Sequence, residues 1–280
     1  MQSIKLTFIG GGNMAASLIG GLLVDKMPAD HITVADPNDD TRNYLAGKFG
    51  INTTPDNTAA LTGADVAVLA VKPQILQDVA ESLAPTVQQH QPLIVTIAAG
   101  IRSADLNRWL GGEQNQPVAV VRAMPNTPAL LQSGASGLYA NAQVSETQRD
   151  LAESILRAVG LALWVDEEDQ MDAITALSGS GPAYFFRIME AMEAAGRELG
   201  LPAETARLLT LQTALGAAKM ALECSQPVAD LRQQVTSPGG TTEQGLRVLA
   251  EEDIDGIMGR VLKAAFRRSQ ELARQMGDGQ

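Results

Sequence analysis

Cysteine is nearly absent: Cys224 is the only one in 280 residues, which excludes an internal disulfide framework and predicts a reducing compartment, the cytoplasm. Histidine is almost as scarce. His31 precedes an apolar run and His90 sits in "QQHQP", and neither joins a Cys/His cluster, so no metal is expected. Basic residues are outnumbered, 21 Lys and Arg against 32 Asp and Glu, and a net charge of -11 leaves no electrostatic footprint for nucleic acid or an anionic membrane. Long hydrophobic runs are missing as well. The longest, roughly Ala64 to Val71, is far too short to span a bilayer. "MQSIKLTFIGGG" enters a strand at once, which predicts no secretory signal.

What is present is a core. With 45% hydrophobic residues and 26 glycines, the chain suits one large or two modest domains. Its first 165 residues alternate between two periods. "IKLTFIG" (4–10), "ITVAD" (32–36), "ADVAVLAV" (64–71), "LIVTIAAG" (93–100) and "PVAVVRAM" (117–124) read as short apolar strands. Helical stretches come between them: 13–26, "DDTRNYLAGKFG", one opening at Pro73, and "SADLNRWL". Apolar strands alternating with helices imply an α/β domain, its mostly parallel sheet covered on both faces. "GASGLYAN" and "LALWVD" add two strands around a helix from Ser145 to Val159. After Asp166 the pattern turns helical, at about 168–178, 182–199, 203–223, 228–235, 242–251 and 254–276. The division expected is therefore 1–166 and 167–280. Leu208, Leu211, Leu215, Ala218 and Leu222 form one stripe in this helical half, which is apolar enough to predict burial against a partner subunit.

"FIGGGNMAASL" (8–18) places Gly10, Gly12 and Ala15 in a G-x-G-x-x-G/A pattern. Gly10 makes the tight turn, Gly12 lets the backbone approach a pyrophosphate, and Ala15 lets the helix pack closely on the strand. The free N–H groups of the helix start then hold the phosphates. Because the motif follows a strand, opens a helix and is followed by Asp36 at the end of the next strand, it predicts a doubly wound Rossmann sheet with a dinucleotide site. A carboxylate at Asp36 accepts from a ribose 2′-OH and repels a 2′-phosphate, favouring NADH; Arg42 is either a counterweight toward NADPH or a solvated helix residue. Lys72 ends an apolar strand and reads equally as an exposed end or a ligand contact. Asn126, in the stiff "AMPNTP" loop, reads as a cofactor contact or plain turn chemistry.

No His, Lys or Tyr is obviously placed to move a hydroxyl proton, as alcohol oxidation demands. An imine is less demanding, so the absence points toward C=N reduction. "VTSPGGTTEQGL" (235–246) then offers a cradle for a small carboxylate: Gly239 and Gly240 ahead of a helix start, with Ser237 beside them. Thr241 is expected as N-cap in a capping box with Gln244, leaving the Thr242 hydroxyl free.

Taken together, "FIGGGNMA", "AVKPQ", "RAMPNTP", "ALSGSGPAYFF" and "VTSPGGTTEQGLRVL" resemble the pyrroline-5-carboxylate reductase family, in consistent order from residue 4 to about 270. The resemblance implies reduction of 1-pyrroline-5-carboxylate to L-proline by NADPH or NADH, and a homodimer that can assemble further into a decamer. It implies that Ile9, Gly10, Gly11, Gly12, Asn13 and Met14 hold the pyrophosphate and that Asp36 and Asn57 lie near the adenosine. Ala70, Val71, Lys72, Pro73, Ile97, Ala98 and Ala99 would line the rest of the cofactor. Gly239, Gly240, Thr241 and Thr242 would take the substrate, approached by Glu168 and Gln234, with Thr242 bonding the ring nitrogen. Two rivals stand beside this reading. A β-hydroxyacid dehydrogenase would need a lysine in the first long helix after the sheet, and residues 171–199 contain none. A non-catalytic dinucleotide sensor would have no use for the "SPGGTT" cradle.

Overall fold

The computed structural model describes residues 4–277. An eight-stranded sheet runs through the first part of the chain: β1 (Leu6–Ile9), β2 (Ile32–Ala35), β3 (Asn52–Thr54), β4 (Val66–Leu69), β5 (Leu93–Thr96), β6 (Val120–Met124), β7 (Gly134–Ala140) and β8 (Gly160–Trp164). Its order is β3-β2-β1-β4-β5-β6-β7-β8, and every neighbouring pair is parallel except β6 and β7. The helices between the strands are α1 (Asn13–Val24), α2 (Asp39–Phe49), α3 (Asn57–Leu61), α4 (Pro73–His90), α5 (Ser103–Trp109) and α6 (Glu146–Arg157). β3 is an edge strand that hydrophobic pattern does not reveal. Its three residues, "NTT", are polar and only partly buried.

Strands β1, β4 and β5 are buried along their whole length because helices cover both faces. The two-residue period of a strand sorts their side chains. Phe8, Val68 and Val95 join Leu18, Ile19 and Leu22 of α1 and Ile155 of α6 on one face. Ile9, Leu69 and Ile94 join Leu76, Ala80 and Leu83 of α4 on the other. Each such fully buried large side chain contributes about 1.5–3 kcal/mol relative to leaving it in water. The order change falls at β1, from which the chain crosses first to β2 and later to β4, and the carboxyl ends of those strands rim a crevice.

Beyond the sheet lie α7 (Gln170–Ile174), a turn of π-helix at Thr175–Gly179, α8 (Gly181–Glu198), α9 (Ala203–Glu223), α10 (Val228–Gln234), α11 (Thr241–Glu251) and α12 (Ile254–Gly277). The described residues up to Ser180 group compactly with those from Ala264 onward, and residues Gly181–Lys263 form a second compact unit. The first unit thus continues past residue 166 and takes back the end of α12. Contacts within that unit explain why. Ser269 Oγ donates to Asp172 Oδ1 at 2.6 Å, Arg108 donates to the Gly277 carbonyl at 2.8 Å, and Gly100 lies against Leu272.

In the second unit α8 and α9 pack together, with Gly196 giving the room for close approach to Ala206. Almost nothing else there is shielded: Phe185, Ile188, Leu208, Leu211, Leu215 and Leu222 are all exposed in a single chain.

Candidate active site

The nucleotide loop begins where β1 ends. Gly10 has φ +100, a left-handed conformation that a side chain resists, and a Cβ there would stand 2.8 Å from the Ala70 carbonyl oxygen of the next strand's exit. Its N–H donates to Ala35 O at 2.8 Å, stitching the turn to β2. Gly11 has a different reason to be glycine: a Cβ would strike Leu45 and Thr41 of α2 at 2.7 and 2.9 Å. Gly12, the N-cap of α1, faces open space, and no side chain caps the helix. Ala15 is buried on the sheet. An uncapped helix start with an open approach at Gly12 fits a pyrophosphate held on the N–H groups from Gly12 to Met14.

Asp36, expected at the adenosine end, directly follows β2. Its Oδ2 accepts from Gly11 N–H at 2.8 Å and its Oδ1 from Asn38 N–H at 2.9 Å. The carboxylate is therefore oriented by main chain on both oxygens. Asn38 caps α2 through Thr41 N–H. Arg42 is not a solvated helix residue: Nη1 donates to the Asp36 carbonyl at 2.6 Å and Nη2 pairs with Asp39. Asn57, half-buried, is the first residue of α3, whose N-cap is Asp56.

Three strand exits rim the crevice. After β4, Ala70 N–H donates to Ile9 O, Val71 follows, Lys72 is the exposed N-cap of α4, and Pro73 opens that helix. After β5, Ile97 N–H donates to Leu69 O and Ala98 N–H to Thr96 Oγ1, with Ala99 half-buried. After β6 comes Asn126, and here the cofactor reading meets a competing use. Its Nδ2 donates to Ser178 O at 3.0 Å and its Oδ1 accepts from Ala135 N–H at 2.9 Å, so the buried amide ties the loop to β7 and the π-helical turn.

Glu168, expected at the substrate, is committed within the first unit. Oε1 accepts from Ser103 N–H at 2.6 Å and pairs with Arg122 at 2.8 Å, and Oε2 accepts from Ser103 Oγ at 2.9 Å. A buried arginine needs such a partner, and the lone charge inside "PVAVVRAM" was the sequence signal for it. Beside this pair on β7, burial and then the Glu168 and Glu167 carboxylates push the Tyr139 phenol above its ordinary range.

The cradle in the second unit differs from its expected form. Thr241 is the first helical residue of α11, and Gly240, extended at φ -79 and ψ 171, takes the N-cap with no side-chain cap bond. The Thr241–Gln244 box does not form. Instead Gly239, left-handed at φ +72, donates its N–H to Glu243 Oε2 at 2.8 Å. Either glycine or threonine can precede a helix, and the bend at Gly239 places the glycine there. Thr241 and Thr242 are exposed at an uncapped helix start, and Ser237 O accepts from Gly240 N–H within the turn. Gln234 is exposed and donates to Gln226 Oε1 at 2.8 Å.

The family profile described as "Pyrroline-5-carboxylate reductase dimerisation" matches residues 168–272, and the one described as "NADP oxidoreductase coenzyme F420-dependent" matches residues 5–100. The pyrroline-5-carboxylate reductase of Pseudomonas aeruginosa is 54% identical over 277 residues, 99% of this chain and 100% of that protein. That of Pasteurella multocida is 43% identical, over 97% and 98% of the two chains. A solved pyrroline-5-carboxylate reductase from Coxiella burnetii superposes with a TM-score of 0.92 at 47% identity, covering 96% of this chain and 98% of that one. The Plasmodium falciparum enzyme, solved with NADP bound, superposes at 0.83 with 28% identity, covering 98% and 99%.

Proposed function

The chain belongs to the pyrroline-5-carboxylate reductase family, and on that premise we propose how its own residues divide the work of the reaction. It reduces the C=N bond of 1-pyrroline-5-carboxylate to give L-proline, the last step of proline biosynthesis, using NAD(P)H. Bound NAD(P)H supplies the hydride. Ile9 to Met14 hold the pyrophosphate on the open, uncapped start of α1, which is the observation that carries the cofactor assignment. Asp36, fixed by two main-chain amides, reads the adenosine ribose, with Asn57 nearby. Residues 70–73 and 97–99 line the remaining length at the strand exits.

In the second unit, Ser237, Gly239, Gly240 and Thr241 take the substrate carboxylate. Gly240 leaves the N-cap of α11 without a side chain, which suits a small anion; Glu243, which holds the Gly239 N–H, must yield that amide to the substrate carboxylate, and its negative charge favours an iminium. Thr242 bonds the ring nitrogen and orients the C=N bond. A threonine hydroxyl is too weak an acid to be the proton source alone, so protonation comes from water near neutral pH and catalysis is mostly positioning. Glu168, which the family resemblance brings to the substrate, is oriented by Ser103 and Arg122, and Asn126 fixes the loop after β6.

The apolar faces of α8 and α9 pair two copies into a homodimer, and dimers associate further into a decamer. Scarce cysteine fits the cytoplasm, and among the described residues no helix is long and apolar enough to cross a membrane. The test is oxidation of NADH and of NADPH followed at 340 nm with pyrroline-5-carboxylate. Turnover is expected; none with either nucleotide, despite measured nucleotide binding, would leave the sensor reading.

A further inference from the structure

The loop "DPNDDTR" (36–42) carries four charges whose connections are specific. Asp36 points its carboxylate at Gly11 and Asn38, both by main-chain N–H. Arg42, one turn into α2, is folded back so that Nη1 meets the Asp36 carbonyl at 2.6 Å. Its Nη2 pairs with Asp39, which is 80% exposed while Arg42 is only 15% exposed. The single cation of this loop is thus drawn onto the backbone of the residue that reads the ribose, with its charge compensated by a neighbouring carboxylate.

We propose that Asp39 is a specificity-determining residue: by holding Arg42 it keeps the guanidinium from receiving a ribose 2′-phosphate and makes the adenosine end favour NADH. The inference rests on the dinucleotide reading of the loop from Ile9 to Met14. A 2′-phosphate arriving at Asp36 meets one carboxylate directly, Asp39 and Asp40 beyond it, and an arginine already paired. A guanidinium is suited to bidentate phosphate recognition, and Arg42 already lies against the Asp36 carbonyl. What withholds it is the pair with Asp39. That pair is local to one helical turn, and α2 keeps its own cap, Asn38, without it.

Equilibrium binding of NADH and of NADPH to the intact protein, measured by calorimetry without substrate, tests this. The unaltered protein is expected to bind NADH more tightly. Asp39→Ala should tighten NADPH about tenfold, the scale of one charge-assisted pair, and leave NADH within about twofold. Adding Arg42→Met to Asp39→Ala should abolish that gain; a gain that survives would show simple loss of negative charge and overturn the role given to Arg42. An NADPH-to-NADH ratio unmoved by Asp39→Ala, or an unaltered protein that already prefers NADPH, would overturn the proposal while leaving the dinucleotide site standing. Failure of the unaltered protein to bind either nucleotide would overturn both. Thermal melts of each variant show whether the fold is retained.

Discussion

The two compact units solve the problem of apolar surface in opposite ways. The first hides Leu6, Phe8, Ile9, Leu18, Ile19 and some forty further apolar side chains within one chain. In the second, Ala206 is the one buried apolar residue of that kind, while leucines and phenylalanines along α8 and α9 face outward. Similar apolar content therefore means different things in the two places. In a sheet covered by its own helices it is a core, and in a helical unit matched by a dimerisation profile it is half of one.

The largest expected effect would break the second half of that contrast. Leu215→Asp places a carboxylate on the exposed face of α9, where an assembled core gives it no partner. Size-exclusion chromatography with light scattering should show the assembly lost, and turnover should fall on the order of a hundredfold as the apolar faces of α8 and α9 lose their cover. An unchanged mass would remove that face from the interface. On the first unit, Gly10→Ala forces a side chain into a left-handed turn and against the Ala70 carbonyl. It should cost about 1–3 kcal/mol of stability along with nucleotide affinity. Gly12→Ala, facing open space, should lower affinity without moving the melting temperature, and equal melts for the two variants would contradict the geometry.

A smaller change sharpens the division of labour. Thr242→Ala should lower kcat about tenfold by loss of orientation, with NAD(P)H affinity intact; an unaltered rate would remove Thr242 from the mechanism. Smallest is Glu153→Gln in α6. The hydrogen bond from Arg157, and then that from Trp164, hold the Glu153 carboxyl below its ordinary range. A folded-state value below the unfolded one stabilises above the unfolded value, and the benefit fades as pH falls through the depressed one. The variant should melt about one to two degrees lower near neutral pH, discounted for the partial exposure of the pair. The gap should close in acid, and a gap independent of pH would assign it to packing instead.

What could be read from sequence follows from range. Strands β1, β4, β5 and β6, the helix opening at Pro73 and the glycine turn at Gly10 depend on neighbours in the chain, and all are found. So is the helix start at Ser145, where a capping box with Gln148 forms. The box expected at Thr241 fails because two adjacent residues could both cap and the backbone of Gly239 decides between them. The π-helical turn at Thr175–Gly179, read as part of an ordinary helix, and the polar strand β3 lack any periodic signal. Least legible are long-range commitments. The Glu168–Arg122 pair joins residues 46 positions apart, and nothing near Glu168 announces it.

The return of α12 to the first unit has a consequence in time. Synthesis proceeds from the N-terminus, so the surface around Gly100 and Asp172 leaves the ribosome long before Ser269 and Leu272, which cover it. At about 5–20 residues per second, that surface waits about 5 to 35 seconds, while the outward-facing helices of the second unit are also emerging. The nascent chain is therefore most vulnerable to aggregation and proteases just before its last helix is complete. A late stop codon would do more harm to the nucleotide-binding half than its distance along the gene suggests.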